Sequence, residues 1–329
     1  MQFLADHVDQ MDFALDQLAM RDRNFDRFAL MLIDNVVELT LHQHAQDKKN
    51  ENDMWGRHEP PRNDMKVVAN ALGPHFDSKV KLARTTGMLS TELSETIQYL
   101  HIFRNTAYHK GLRHEGILHS IALFYFENAC SVLASYSPMF WSSTSRDKIP
   151  HRAMKYLGMP DILDGGAEAF SAAWKRLNQV ADSMGGSLVS DLSDDMERTV
   201  DSIDDQIQFL ADHSPEKTRA EVIIDCQVWF LAFSEEGKSY AAKNNCPQLS
   251  VGGYVNWLSE NYSWPAKTDP VPGWRRRVGS LRNEESRHLA LKKYCEFMKQ
   301  TEDIRAKIEE SAAQLDVHIQ HLIDVARDK

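Results

Sequence analysis

No run of apolar residues in this chain approaches the ~20 needed to span a bilayer as a helix. No stretch alternates apolar and polar residues in the manner of a half-buried strand. The first absence excludes a helical membrane span, and the second excludes a fold built on sheets. Cysteine is scarce: Cys130, Cys226, Cys246 and Cys295 lie far apart, without a Cys-x-x-Cys pair. That pattern excludes a dense disulfide framework and reads as reduced thiols in a cytoplasmic protein. The segment Met1 to His7 has an early acid and no basic stretch, so no secretory signal is expected. Gly165-Gly166, Gly185-Gly186 and Gly252-Gly253 read as turn glycines, and none sits in a phosphate loop or dinucleotide fingerprint. Serine and cysteine nucleophile motifs, internal repeats and long low-complexity tracts are also missing.

An excess of basic charge is missing too. The 329 residues carry 48 acids against 38 lysines and arginines, a net charge of −10. A protein that grips nucleic acid through a broad electrostatic surface is usually basic. Nucleic-acid contact here is therefore expected to be local, in a basic groove on an acidic body. The acidic surface also suits a basic partner protein. With 42% hydrophobic and 26% charged residues the composition is that of a soluble globular protein. The length favours two helical domains, or one body in two parts.

Helical periodicity dominates what is present. Residues 2–20 carry apolar positions at helical spacing. A second helix is predicted over 22–48, with Phe25, Phe28, Leu32, Val36 and Leu39 as its buried stripe. Residues 51–63, with Gly56, Pro60 and Pro61, read as a loop. Short helices are expected over 64–71 and 76–84, separated by Pro74. Ser90 has the form of an N-cap, and Gly111 that of a helix stop. A very apolar helix follows over 114–135. Residues 137–150, with Pro138, four hydroxyl residues and Pro150, read as a connection between two parts. Further helices are predicted over 194–212 and 216–234. A Pro-rich loop is expected at 265–273, and long helix, broken at most once, over roughly the last 45 residues. The expected fold is all-α, with one domain at 1–140 and another, of unassigned role, at 141–329.

The most informative stretch is Arg104-Asn105-Thr106-Ala107-Tyr108-His109. Leu93, Ile97, Leu100 and Arg104 step by four, three and four, so Arg104 continues an apolar stripe and Tyr108 follows it. A buried arginine is costly unless paired. Its partner is expected to be either an internal carboxylate or a phosphate. Asp34 and Glu38 are the candidates to pair it or hold it in place. With His42 they recur at four-residue steps, and they also fit a solvated helix face. Arginine grips phosphate with a planar fork, and histidine moves protons near neutral pH. The pair therefore points to phosphodiester chemistry without a metal. On an ideal helix, at about 100° per residue, His109 lies about 140° around from Arg104. The two converge only if the helix bends or ends there, or if two copies of the motif meet across a dimer axis.

The pattern Arg-Asn-x-x-x-His in a helical segment between apolar helices resembles the HEPN superfamily, whose ribonucleases carry Arg-x(4–6)-His, often with a polar residue after the arginine. The resemblance covers roughly residues 22–135 and includes Leu32-Ile33-Asp34-Asn35-Val36-Val37-Glu38-Leu39, which looks like an early helix of that fold. It implies a HEPN-like helical bundle that dimerises through these helices and cuts RNA without metal or other cofactor. Arg104, Asn105 and His109 would be catalytic, with Asp34, Glu38 and Tyr108 in support. The cationic tail, Lys110 and Arg113, would contact RNA. RNA supplies its own nucleophile, so the expected product carries a 2′,3′-cyclic phosphate. Such enzymes occur in toxin–antitoxin, phage-defence and CRISPR-associated systems, which makes an antitoxin or defence-complex subunit an expected partner. Many members have lost activity and serve as binding modules. That is the alternative here, followed by a helical scaffold in which Arg104 is simply a paired core arginine.

Other constellations are weaker. His42 with His44, His114 with His119, and His318 with His321 lack complete ligand sets. Glu285-x-x-His288 occurs once where a di-metal bundle needs two such motifs. His119 falls one position late for zincin spacing after His114-Glu115. No metal site is expected. Trp274-Arg275-Arg276-Arg277 suits RNA stacking and charge, and equally suits a helix start paired with the acids at Asp194, Asp195 and Glu197. The acids from Asp191 to Asp205 read as a solvated face.

Overall fold

A computed structural model describes residues 1–55, 60–109, 115–141, 148–158 and 166–327; of 55, 107–109 and 115 it describes the backbone only. Among the described residues there are fourteen α-helices and no strand, which makes the protein all-α. No described helix is long and apolar enough to cross a membrane. The chain divides into two compact units.

The first unit comprises Met1–Asp191 with Ser286–Lys292. Its helices are α1 (Gln2–Ala19), α2 (Arg23–Trp55), α3 (Met65–Ala71), α4 (Phe76–Thr85), α5 (Thr91–His109), α6 (Leu118–Ser135), α7 (His151–Leu157) and α8 (Gly166–Ser183). The core forms where α2 packs on α1 and α6, and α6 on α8. Met11, Leu18, Leu30, Ile33, Leu41, Tyr125 and Phe126 are completely buried there. The second unit comprises Leu192–Glu285 with Lys293–Lys329. It holds most of α9 (Leu188–Asp212), then α10 (Arg219–Ala232), α11 (Glu235–Lys243), α12 (Val251–Asn261), α13 (Val271–Arg282) and most of α14 (Arg287–Arg327). The division therefore falls at residue 191, whereas composition pointed to 140. The physical reason is the packing of α7 and α8 against α1 and α6. Buried Asp12 of α1 accepts from Arg152 Nη1 at 2.9 Å, Lys155 Nζ at 2.9 Å and Tyr156 Oη at 2.6 Å, all on α7. The described residues on either side of the Pro- and Ser-rich stretch, up to 141 and from 148, thus both belong to the first unit.

Several helix limits differ from the sequence reading. The second helix extends to Trp55, into the stretch read as loop. Its buried face is also rotated: Phe28 and Leu39 are 54% and 41% exposed, while Ile33, Val37 and Leu41 are fully buried. Pro272 and Gly273 lie inside α13, near its start, where proline's missing N–H leaves no bond unmade. α14 runs unbroken over 41 residues.

Local chemistry sets the start of α5. Thr86 ends α4, and Gly87 follows at φ +77°, a left-handed conformation that costs glycine nothing. Ser90 Oγ then accepts from Leu93 N at 3.1 Å, the expected N-cap. Ile97 and Leu100 are fully buried on the inner face of the helix.

Candidate functional site

Arg104 occupies the next position on that stripe and sits at the edge of the core. Its side chain is 28% exposed. Nε lies 3.2 Å from Asp34 Oδ2, a Coulombic contact without hydrogen-bond alignment. Nη1 donates to Asn105 Oδ1 at 2.9 Å. Asp34 on α2 is wholly buried. An acid so placed needs partners, and the neighbouring helices supply them. Tyr125 Oη of α6 donates to Asp34 Oδ1 at 2.6 Å, and His101 Nδ1 of α5 lies 2.8 Å from the same oxygen. The His101 ring stacks on Phe76 of α4, with centroids 3.9 Å apart and planes 2° from parallel. Burial pushes the Tyr125 hydroxyl well above the usual phenol range, and the adjacent Asp34 charge adds to the shift. Tyr125 is therefore a fixed neutral donor, and α5 and α6 both reach the carboxylate that α2 carries.

The predicted residues divide clearly. Asp34, Arg104 and Asn105 come together, so Asp34 is not part of a solvated face. Glu38 does not pair Arg104: Lys79 Nζ of α4 lies 3.3 Å from Glu38 Oε1 and donates to Gly73 O at 2.8 Å. His42 is exposed. α5 remains helical through His109, so no break in the helix before that residue swings it round to Arg104. The side chains of Tyr108 and His109, and all of Lys110, Gly111 and Arg113, lie outside the described residues.

Sequence reasoning missed His101, Tyr125, Phe76 and Lys79. His101 carried a signal, because a residue three before Arg104 shares its helix face. Tyr125 carried a fainter one, as a hydroxyl within the very apolar α6.

The Asp34 arrangement recurs along α2. Asp26 is buried with His119 Nδ1 at 2.8 Å, and Asp47 is buried with Tyr136 Oη donating at 2.7 Å. At Asp34 an arginine joins as well. Neither of two described cavities includes Arg104 or His101. One, of about 300 Å³, is lined by Asp47, Tyr136 and Trp141 among others; the second, of about 170 Å³, lies beside Ser120 and Arg287.

The remaining candidates resolve into packing. His44 is buried, with Nε2 2.8 Å from Thr86 Oγ1, and burial pulls its pKa down to about 4. His288 Nδ1 lies 2.8 Å from Thr96 Oγ1. His318 and His321 are exposed. Among the described residues, no three or more His, Cys, Asp or Glu side chains gather so as to hold a metal ion. In the second unit Trp274 packs edge-on against Phe297, and the Arg277 guanidinium sits 4.9 Å from that ring's centroid. Arg275 reaches Asp201 at 2.7 Å and Asp204 at 2.9 Å; Arg282 reaches Glu197 at 2.8 Å. Of the basic run, Arg275 pairs with the acidic helix, at acids further along than those named, while Arg277 lies over Phe297. The face of α9 is correspondingly bridged as well as solvated.

Comparisons with family models, with curated proteins and with solved structures return no match.

Proposed function

We propose that this chain is a metal-independent endoribonuclease, working as a homodimer, that cuts RNA by attack of the 2′-hydroxyl and leaves a 2′,3′-cyclic phosphate. The observation that carries this reading is Arg104, held at the edge of the core by a wholly buried acid, with Asn105 beside it. A guanidinium fixed in advance stabilises charge on phosphate without reorganising when the charge develops. His109, five positions on, is the motif's proton-transfer group. Its angular offset on α5 makes a second copy the natural source of the histidine that meets Arg104. A net charge of −10 fits a short local contact with RNA better than a broad electrostatic one. The resemblance to HEPN ribonucleases suits a toxin–antitoxin or phage-defence setting with an antitoxin or defence-complex partner, and the scattered cysteines suit the cytoplasm.

A second reading is a catalytically inactive subunit that binds RNA or protein. The ion pair favours it, since Asp34 already neutralises Arg104. Cleavage of RNA in EDTA separates the two. The wild type is expected to release 2′,3′-cyclic ends, and Arg104→Ala and His109→Ala to cut at least about 100-fold more slowly. Full cleavage by His109→Ala, or none by the wild type, overturns the endonuclease reading; RNA retained without cleavage supports the second.

A further inference from the structure

Cleavage of RNA by its own 2′-hydroxyl needs two proton transfers. One group takes the proton from the 2′-oxygen, and another gives one to the departing 5′-oxygen. The motif Arg104 to His109 contains one histidine, five positions after the arginine along α5.

We infer that His101 is the second imidazole of the site, a catalytic base that acts beside Arg104 and is oriented by Asp34. The inference rests on the endonuclease reading. Three observations carry it. His101 precedes Arg104 by three residues, so both side chains leave α5 on one face. Both reach the same buried carboxylate, at 2.8 Å and 3.2 Å. The His101 ring is 17% exposed, so the arrangement reaches the surface.

The carboxylate fixes the chemistry of the ring. With Asp34 Oδ1 accepting from Nδ1–H, the neutral tautomer carries its lone pair on Nε2. Tyr125 donates to the same oxygen and holds Asp34 in place, while the parallel Phe76 ring fixes the imidazole plane. A histidine whose second nitrogen is held by an acid is a positioned base. Among the described residues, the charged and titratable groups about it include Asp34 and Glu38 from α2, Arg104 from its own helix, Tyr125 from α6 and Lys79 from α4, which pairs with Glu38.

In the step, Nε2 of His101 takes the 2′-hydroxyl proton as the 2′-oxygen forms a bond to phosphorus. The phosphorus–5′-oxygen bond breaks, and the 5′-oxygen receives a proton from the acid of the proposed function, His109 of a second copy. The two histidines end with exchanged protonation states, which solvent restores. Arg104 carries the charge on the phosphorane oxygens.

The test pairs a rate with a spectrum. His101→Asn places an amide N–H where Nδ1 stood and keeps the donor to Asp34. With circular dichroism and thermal midpoint unchanged, it is expected to cut RNA at least about 100-fold more slowly than wild type. In parallel, imidazole ¹⁵N NMR follows wild-type protein titrated with an oligonucleotide that is 2′-deoxy throughout. The signal absent from His101→Asn is expected to shift at Nε2, and not to shift in Arg104→Ala. Wild-type rates in His101→Asn overturn the inference and leave the endonuclease reading intact. A slow variant whose wild-type signal ignores the oligonucleotide also overturns it, since His101 would then only position others. If the wild type cuts no RNA, the endonuclease reading falls and the spectrum alone decides: an Arg104-dependent shift keeps His101 at the phosphate, and no shift removes it.

Discussion

Helices α2 and α9 solve the same problem in opposite ways. Both are long and rich in acid. On α2 the acids Asp26, Asp34 and Asp47 are buried, each held by a tyrosine or histidine from elsewhere in the first unit. On α9 the acids Asp201, Asp204 and Glu197 stay at the surface of the second unit and meet Arg275 and Arg282 there. Water screens the second set, so those pairs add little. It does not reach Asp34, so any loss among that residue's partners leaves charge or hydrogen-bonding capacity stranded. Charge that a fold keeps in its interior is fixed in position, and the functional proposal rests on such a place.

The contrast is open to attack from either side. Asp34→Ala removes the hub while leaving Arg104, His101 and Tyr125 in place. It is expected to cost about 3–5 kcal/mol, read as a large fall in the urea midpoint. A cost under about 1 kcal/mol would put Asp34 with the surface acids.

Acid comes next, through the buried histidines of the first unit. His7 and His44 both have pKa values drawn down to about 4 by burial, against 6.5 for an ordinary histidine. A depressed folded pKa means the unfolded chain binds the proton first. The contribution is therefore complete above pH 6.5 and is lost as pH falls towards 4. At full effect each histidine costs roughly 3 kcal/mol. Thermal midpoints should fall across this window, and His7→Leu should flatten the slope. An equal slope in that variant would mean that the His7 ring is hydrated in the native state.

The smallest effect belongs to α9. Arg275→Ala is expected to leave the urea midpoint where it was, at low salt and high. A clear loss that salt abolishes would show a cooperative network on that face and narrow the difference between the helices.

The sequence revealed the parts of this picture that are local. Helical class followed from spacing, and the start of α5 from Ser90, whose hydroxyl does cap it. The same phasing placed Arg104 on a buried stripe and raised Asp34 and Glu38 as its partners. The choice between those two was not legible, because it depends on Lys79, which approaches from α4 and takes Glu38. The buried face of α2 was misjudged for a related reason. Hydropathy favours Phe28 and Leu39 over Asp26, Asp34 and Asp47, yet distant partners such as His119, Tyr125 and Tyr136 make burial of the acids affordable. His101 went unread because it flanks the stripe, and its meaning comes from a carboxylate 67 residues away in sequence.

The central claim is that Arg104 is placed for phosphate and does more than neutralise Asp34. Arg104→Lys separates these roles, since lysine keeps the charge facing the acid and loses the planar fork. The deciding measurement is its rate of RNA cleavage in EDTA, beside its thermal midpoint. The account expects a midpoint within error of wild type and a rate at least about 30-fold lower, part of the ~10²–10³ carried by a transition-state donor. Wild-type cleavage by Arg104→Lys would contradict it and leave Arg104 a core arginine paired with a core acid.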